Sequence, residues 1–272
     1  MMKTELPIGI FDSGVGGLTV LRAIRNRLPH ENLLYLGDTA RLPYGTKSRN
    51  TISKYAVQAA SKLVERQVKM LVIACNTATA AALDDVQGLW PDLPVIGVVK
   101  PGAKAACDAS RNGRIGVIAT ESTIRGQAYH KAIHAIAPEA EVSGQACSLF
   151  VSLAEEGWLD GPIVEAVAAK YLAPLFSGGA SPDCLVLGCT HFPALADAIR
   201  NVLSDGVRIV DSAETTALAV EAELQAQSGL NAQTGDGQSA FMTTDDAARF
   251  ARVGSTFIGH PLEESHIELV NL

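Results

Sequence analysis

The chain has 272 residues, enough for one large domain or two of ordinary size. Hydrophobic residues make up 47% and charged ones 19%, so substantial cores can form and a disordered chain is excluded. A formal net charge of −7 argues against general affinity for nucleic acid or an anionic membrane, so an acidic ligand has to be caught by local chemistry.

The first residues run straight into an apolar strand, without the apolar core and cleavage site of a secretory signal. No later stretch reaches the roughly 18 consecutive apolar residues of a membrane span. A cytoplasmic protein is expected. Its five cysteines are then expected to stay reduced, and their odd number and irregular spacing describe no disulfide framework.

In chain order, short runs rich in Val, Ile and Leu fall at 7–12, 32–37, 70–74, 94–98, 114–119, 140–144, 184–188 and 207–210, separated by longer helical patterns that begin with 18–28. Such runs read as parallel strands buried on both faces, and the fold class as α/β. The pattern occurs twice. Ile8-Gly9-Ile10-Phe11-Asp12-Ser13 resembles Ile115-Gly116-Val117-Ile118-Ala119-Thr120, and Leu71-Val72-Ile73-Ala74-Cys75 resembles Leu185-Val186-Leu187-Gly188-Cys189. Two similar open parallel-sheet domains related by pseudo-twofold symmetry are expected, with the active site in the cleft between them. The first comprises 1–98 with 211–272 and the second 99–210, the boundary falling near Lys100-Pro101-Gly102. After residue 211 a helix, a polar surface loop at 225–238 and a strand at 240–244 are expected to pack back on the first domain.

Asp12-Ser13-Gly14-Val15-Gly16-Gly17 joins the first strand to the first helix. Its glycines let backbone approach a partner, and the helix N-terminus offers unpaired N–H groups that suit a carboxylate or phosphate. It has neither the spaced dinucleotide fingerprint nor a Walker pattern, and a tight turn with an Asp or Ser cap is an equal reading. Asp38-Thr39-Ala40-Arg41-Leu42-Pro43-Tyr44-Gly45 is a second strand-end loop, able to hold amides and the Tyr44 ring over a pocket, though alone it reads as a plain turn.

Cys75-Asn76-Thr77 and Cys189-Thr190-His191 are more informative. Cys107, Cys147 and Cys184 read as small buried hydrophobes. Cys75 and Cys189 each end a buried strand and are followed at once by groups that can bind an amino acid's ammonium and carboxylates. A helix N-terminus beside each thiol is expected to favour the thiolate. A zinc site from Cys75, Cys189 and His191 competes, but without a Cys-x-x-Cys pair or an evident fourth ligand. A nucleophilic cysteine with His191 also competes, and leaves the second thiol idle. A non-catalytic amino-acid-binding protein would share the two lobes but needs no thiol on each. Two mirrored thiols suit stereoinversion, one removing a proton from one face of a carbon and the other supplying a proton to the opposite face.

Taken together, these segments resemble the glutamate racemases of the aspartate/glutamate racemase superfamily. The resemblance spans the chain through IGIFDSGVGG at 8–17, DTARLPYG at 38–45, ACNTATA at 74–80, GVIATESTI at 116–124, AEEGW at 154–158, LGCTHFP at 187–193 and VDSAE at 210–214. It implies interconversion of L- and D-glutamate with no cofactor and no metal, Cys75 taking the α-proton from D-glutamate and Cys189 from L-glutamate. It implies that Asp12 supports Cys75, and that Glu155 and His191 support Cys189. Asp12, Ser13, Pro43, Tyr44, Gly45, Asn76, Thr77, Thr120, Thr190 and His191 are the implied substrate-site residues, with Thr123 nearby. Glu155 is preferred to Glu156 by its place in Ser152-Leu153-Ala154-Glu155. The implied protein is a homodimer that supplies D-glutamate for peptidoglycan and engages neither nucleic acid nor membrane. A racemase of aspartate or another acidic amino acid is the nearest alternative, because the thiol pair sets the reaction while the pocket sets the side-chain length.

Overall fold

A computed structural model describes residues 3–272; the first two residues of the expected first domain lie outside that range. The chain opens with β1 (Ile8–Asp12), α1 (Leu18–Arg27), β2 (Leu33–Gly37), α2 (Arg49–Glu65), β3 (Met70–Ile73), α3 (Asn76–Leu89) and β4 (Val95–Gly97). Every residue of β1, β2 and β3 is buried, as apolar runs covered by helices on both faces require. The scheme then repeats through α4 (Val99–Ala109), β5 (Arg114–Ala119), α5 (Glu121–Arg125), α6 (Ala128–Ile136), β6 (Glu141–Ala146), α7 (Leu149–Glu155), α8 (Gly161–Phe176), β7 (Cys184–Gly188), α9 (Ala196–Asn201) and β8 (Arg208–Asp211). The chain closes with α10 (Ser212–Ala226), β9 (Ser239–Thr243), α11 (Ala247–Ile258) and β10 (Ile267–Leu269).

All strand pairings are parallel. β1 lies between β2 and β3, with Ile10 beside Tyr35 and Val72; β5 lies between β6 and β7, with Val117 beside Gly144 and Val186. The order β2-β1-β3-β4 in one sheet recurs as β6-β5-β7-β8 in the other, so the two sequence similarities mark equivalent strands of one repeated unit. β9 and β10 extend the first sheet beyond β2 to six strands, against four in the second.

Three departures from the sequence reading have local causes. β10 was not anticipated, because only Ile267 of its three residues is buried. β6 runs to Ala146 and is partly exposed as an edge strand, where burial on both faces was expected. The loop at 225–238 is not wholly a surface segment. Asn231 is buried, and its backbone N–H donates to Glu31 Oε1 at 2.8 Å. Glu31 in turn pairs with Lys69 at 2.6 Å with both side chains buried, while Lys69 also donates to the carbonyls of Thr4 and Gly229. That cluster ties the start of the chain, β3 and the late loop together.

The apolar core is not divided cleanly in two. The largest cluster runs through both halves, joining Ile8, Leu18 and Val72 to Ile118, Phe150 and Leu187. Separate clusters cover the outer faces, one around Phe11, Leu36 and Ile73, the other around Val117, Ile133 and Val186. Among the described residues no helix is long and apolar enough to cross a membrane.

Candidate active site

The residues just beyond β1, β3, β5 and β7, namely Ser13, Cys75, Thr120 and Cys189, wall one cavity of about 400 Å³. That volume suits a small ligand, and carboxyl ends of parallel strands are where such ligands bind in open α/β sheets. Pro43, Tyr44, Gly45, Asn76, Thr77, Glu155, Thr190 and His191 complete the wall among the expected residues. Asp12 and Thr123 do not reach it. Asp12 is fully buried behind the wall, accepting from Gly14 N–H at 2.8 Å and from Thr190 Oγ1 at 3.4 Å. Thr123 is buried and joins Thr77 and Thr120 in a ring of hydroxyls 2.9 to 3.2 Å apart, which links α3 to α5. Asn76 faces the cavity, yet its side-chain amide is engaged elsewhere, accepting from Tyr129 Oη at 2.7 Å and donating to Ser212 Oγ at 3.5 Å.

Cys75 is the N-cap of α3 and accepts from Ala78 N–H at 3.4 Å, while its thiol donates to Ser13 Oγ at 3.5 Å. The helix N-terminus does favour the thiolate, but burial outweighs it. Burial first, and then the nearby Asp12 carboxylate, push the Cys75 thiol up to about 12, against the smaller lowering by Ser13 and Ala78. The expected pull of the helix N-terminus toward the thiolate is therefore present but is the smaller effect, and burial with Asp12 favours the thiol.

Cys189 has different support. No α-helix begins beside it, because a short 3-10 turn, Phe192–Leu195, intervenes before α9. Its sulfur lies 3.8 Å from His191 Nδ1, and His191 Nε2 lies 3.1 Å from Glu155 Oε1. Burial alone would lower the imidazole, but the contacts with Cys189 and Glu155, and the charge of Asp12, carry it up to about 10. An imidazolium donates from both nitrogens, which this geometry accommodates. Phe257 packs edge-on against the ring at 5.0 Å.

The glycine loop puts Ser13 and Gly14 on the cavity wall, and its later glycines make room for neighbouring side chains. A Cβ on Gly16 would lie 2.5 Å from both His191 Nδ1 and Thr190 Oγ1, and one on Gly17 would lie 2.5 Å from Asp12 Cβ. These glycines admit the protein's own catalytic-edge residues, and Asp12 takes backbone hydrogen bonds from Gly14 and Gly17 that an outside anion would otherwise receive. Leu42, Thr46, Ser148, Val151 and Ser152 also wall the cavity and were missed by the sequence reading. A signal was present for three of them, since Ser148, Val151, Ser152 and Glu155 stand at helical spacing on one face of the α7 segment. Asp38 was missed as well; fully buried, it accepts from Tyr44 Oη, Arg41 Nε and Thr244 Oγ1 and so shapes the Pro43–Tyr44 loop. Cys147 and Cys184 are buried as expected, whereas Cys107 is only partly covered because it sits on the rim of its cluster beside Asp108 and Lys104. Among the described residues no three His, Cys, Asp or Glu side chains are grouped to hold a metal.

Two repeated α/β sheets deliver one thiol each to a shared cavity of a size that suits a small molecule. A model of the Asp/Glu/Hydantoin racemase family matches residues 17–220. A glutamate racemase from Geobacter metallireducens is 50% identical over 255 residues, covering 94% of this chain and 93% of that protein. Crystal structures of two glutamate racemases superpose closely. One from Francisella tularensis, in complex with D-glutamate, has a TM-score of 0.91 at 39% identity and 98% coverage of both chains. The other, from Bacillus anthracis, has a TM-score of 0.93 at 35% identity, covering 99% of this chain and 98% of that one. The chain belongs to the Asp/Glu/Hydantoin racemase family and is an amino-acid racemase.

Proposed function

We propose that the chain interconverts L- and D-glutamate by proton transfer between Cys189 and Cys75 on opposite faces of the α-carbon, with no cofactor. The observation that carries the reading is the pair of thiols at equivalent ends of β3 and β7, walling one cavity. The names of the close relatives and the D-glutamate bound by the Francisella tularensis protein support glutamate as substrate.

From L-glutamate, Cys189 takes the α-proton and Cys75 gives its own to the opposite face, leaving D-glutamate with the thiol and thiolate exchanged. The resting distribution suits this direction, with burial keeping Cys75 protonated and the His191 imidazolium set to stabilise negative charge on the Cys189 sulfur. The Ser13 hydroxyl, which accepts from Cys75 and keeps its own proton free, and the amides at the start of α3 supply donors for the substrate carboxylates. Asp12, lying behind the wall, acts on Cys75 through its charge and on Thr190 through its hydrogen bond. Domains at 1–98 with 211–272 and at 99–210, read from the repeated strand pattern, and a cytoplasmic location, as expected from the sequence, complete the reading, with a homodimer and supply of D-glutamate for peptidoglycan resting on the sequence resemblance.

The test is circular dichroism of L- and D-glutamate, and separately of L- and D-aspartate, incubated with protein treated with EDTA and a carbonyl reagent. Loss of glutamate ellipticity from either enantiomer is expected. Activity abolished by chelation and restored by zinc would sink the two-thiol reading, and faster turnover of aspartate would overturn the substrate.

A further inference from the structure

Among the described residues Glu155 is the one acidic side chain on the cavity wall, and its two oxygens have different partners. Oε1 faces His191 Nε2 at 3.1 Å, and Oε2 accepts from Arg249 Nη2 at 2.8 Å. Arg249 belongs to α11, which packs on α1 beside the first sheet, whereas Glu155 ends α7 and His191 follows β7 of the second. Every other ion pair found among the described residues joins side chains within 3–98 and 211–272, or within 99–210; Arg249 with Glu155 is the pair that crosses. A small recess of about 90 Å³ adjoins the pair, lined also by Thr39, Leu42, Asp245 and Asp246. Asp246 is committed to capping α11, accepting from Arg249 N–H at 2.9 Å, so the guanidinium's base is itself fixed.

We propose that Arg249 is a positioning residue for the reaction: its guanidinium fixes the Glu155 carboxylate, which aims His191 at Cys189, so that one thiol is armed only while the two halves are held together. The inference rests on the two-thiol reading above. A carboxylate with one donor can rotate away or take a proton, whereas one held on both oxygens offers His191 a fixed acceptor. Burial raises the Glu155 carboxyl, but its hydrogen bond and charge interaction with His191 and the Arg249 guanidinium bring it below the ordinary range. The titratable and charged groups around this array are Arg249, Asp245 and Asp246 beside Glu155, and Asp12 and Cys189 beside His191.

The test is Arg249→Met in the full chain, with Arg249→Gln as a second neutral variant should the first fold poorly. Losing one charge-assisted hydrogen bond should lower kcat by about tenfold, with KM changed by less than about threefold. Because the equilibrium constant of a racemisation is unity, kcat/KM must fall equally for both enantiomers. The isotope effects need not. With α-deuterated substrates, impairing the Cys189 step raises the primary isotope effect on kcat/KM from L-glutamate and drives that from D-glutamate toward one. The acid limb of the pH profile should also move to higher pH, and Arg249→Lys should reverse part of each change. Cys189→Ser serves as the control. If it retains turnover, the two-thiol reading falls and this proposal with it. If it is inactive while Arg249→Met or Arg249→Gln keeps wild-type isotope effects and pH profile, Arg249 has no such role.

Discussion

At Cys75 and Cys189 the same side chain is placed in two electrostatic settings, one dominated by burial and a carboxylate, the other by an imidazolium. Serine at either position keeps the shape but raises the cost of ionisation, and kcat should fall by about a hundredfold to ten-thousandfold with the circular dichroism of the folded chain unchanged. Near-normal turnover in either variant would remove that residue from the mechanism. Alanine at Cys147 or Cys184 deletes one buried sulfur and should cost about 1 kcal/mol of stability while leaving turnover within about tenfold. His191 adds a pH signature. Its folded value is raised from 6.5 to about 10, so its stabilising contribution is complete below 6.5, declines above it and is gone above about 10. The thermal midpoint of the wild type should therefore drop more steeply across that window than that of His191→Gln; parallel curves would contradict an imidazolium at this site.

Short elements carry the site, and they differ in how far the sequence discloses them. The buried strands were legible because both faces are apolar, and the thiols were legible because each follows such a strand directly. The doubled pattern in sequence corresponds to the doubled strand order. What stayed hidden depends on contacts between distant segments. Asp12 looks like a cap or ligand group in a glycine loop, yet the loop closes on it and Thr190 reaches it across 178 positions. Asn76 stands on the cavity wall as expected, but that Tyr129 takes its side-chain carbonyl is visible only in the fold. Arg249 sits in a helix with no motif at all, and only the folded chain brings it to Glu155. Gly16 shows the same dependence on distance. Alanine there collides with His191 and Thr190, so Gly16→Ala should lose turnover by about a hundredfold or more while shifting the thermal midpoint only a few degrees. Wild-type kcat in Gly16→Ala would show that the approach of His191 to the glycine loop is not needed.

For the whole molecule, stability and chemistry are fastened at different places. The buried Lys69–Glu31 pair secures the late loop to the sheet, and it shares no residue with the cavity wall. Glu31→Ala strands a buried ammonium and should cost about 3–5 kcal/mol by chemical denaturation, with kcat per folded molecule retained. A comparable loss of kcat would mean that the two regions are coupled. The cavity, by contrast, is where the proposed mechanism is decided, since under it a thiol on each face of the α-carbon makes the incoming proton different from the outgoing one. With L-glutamate in deuterated water, sampled before the reaction reverses, mass spectrometry should find the first D-glutamate almost fully deuterated at the α-carbon and the remaining L-glutamate largely protiated. Substantial protium at the α-carbon of that first D-glutamate would mean that a single base returns the proton it removes, and would contradict the paired-thiol account.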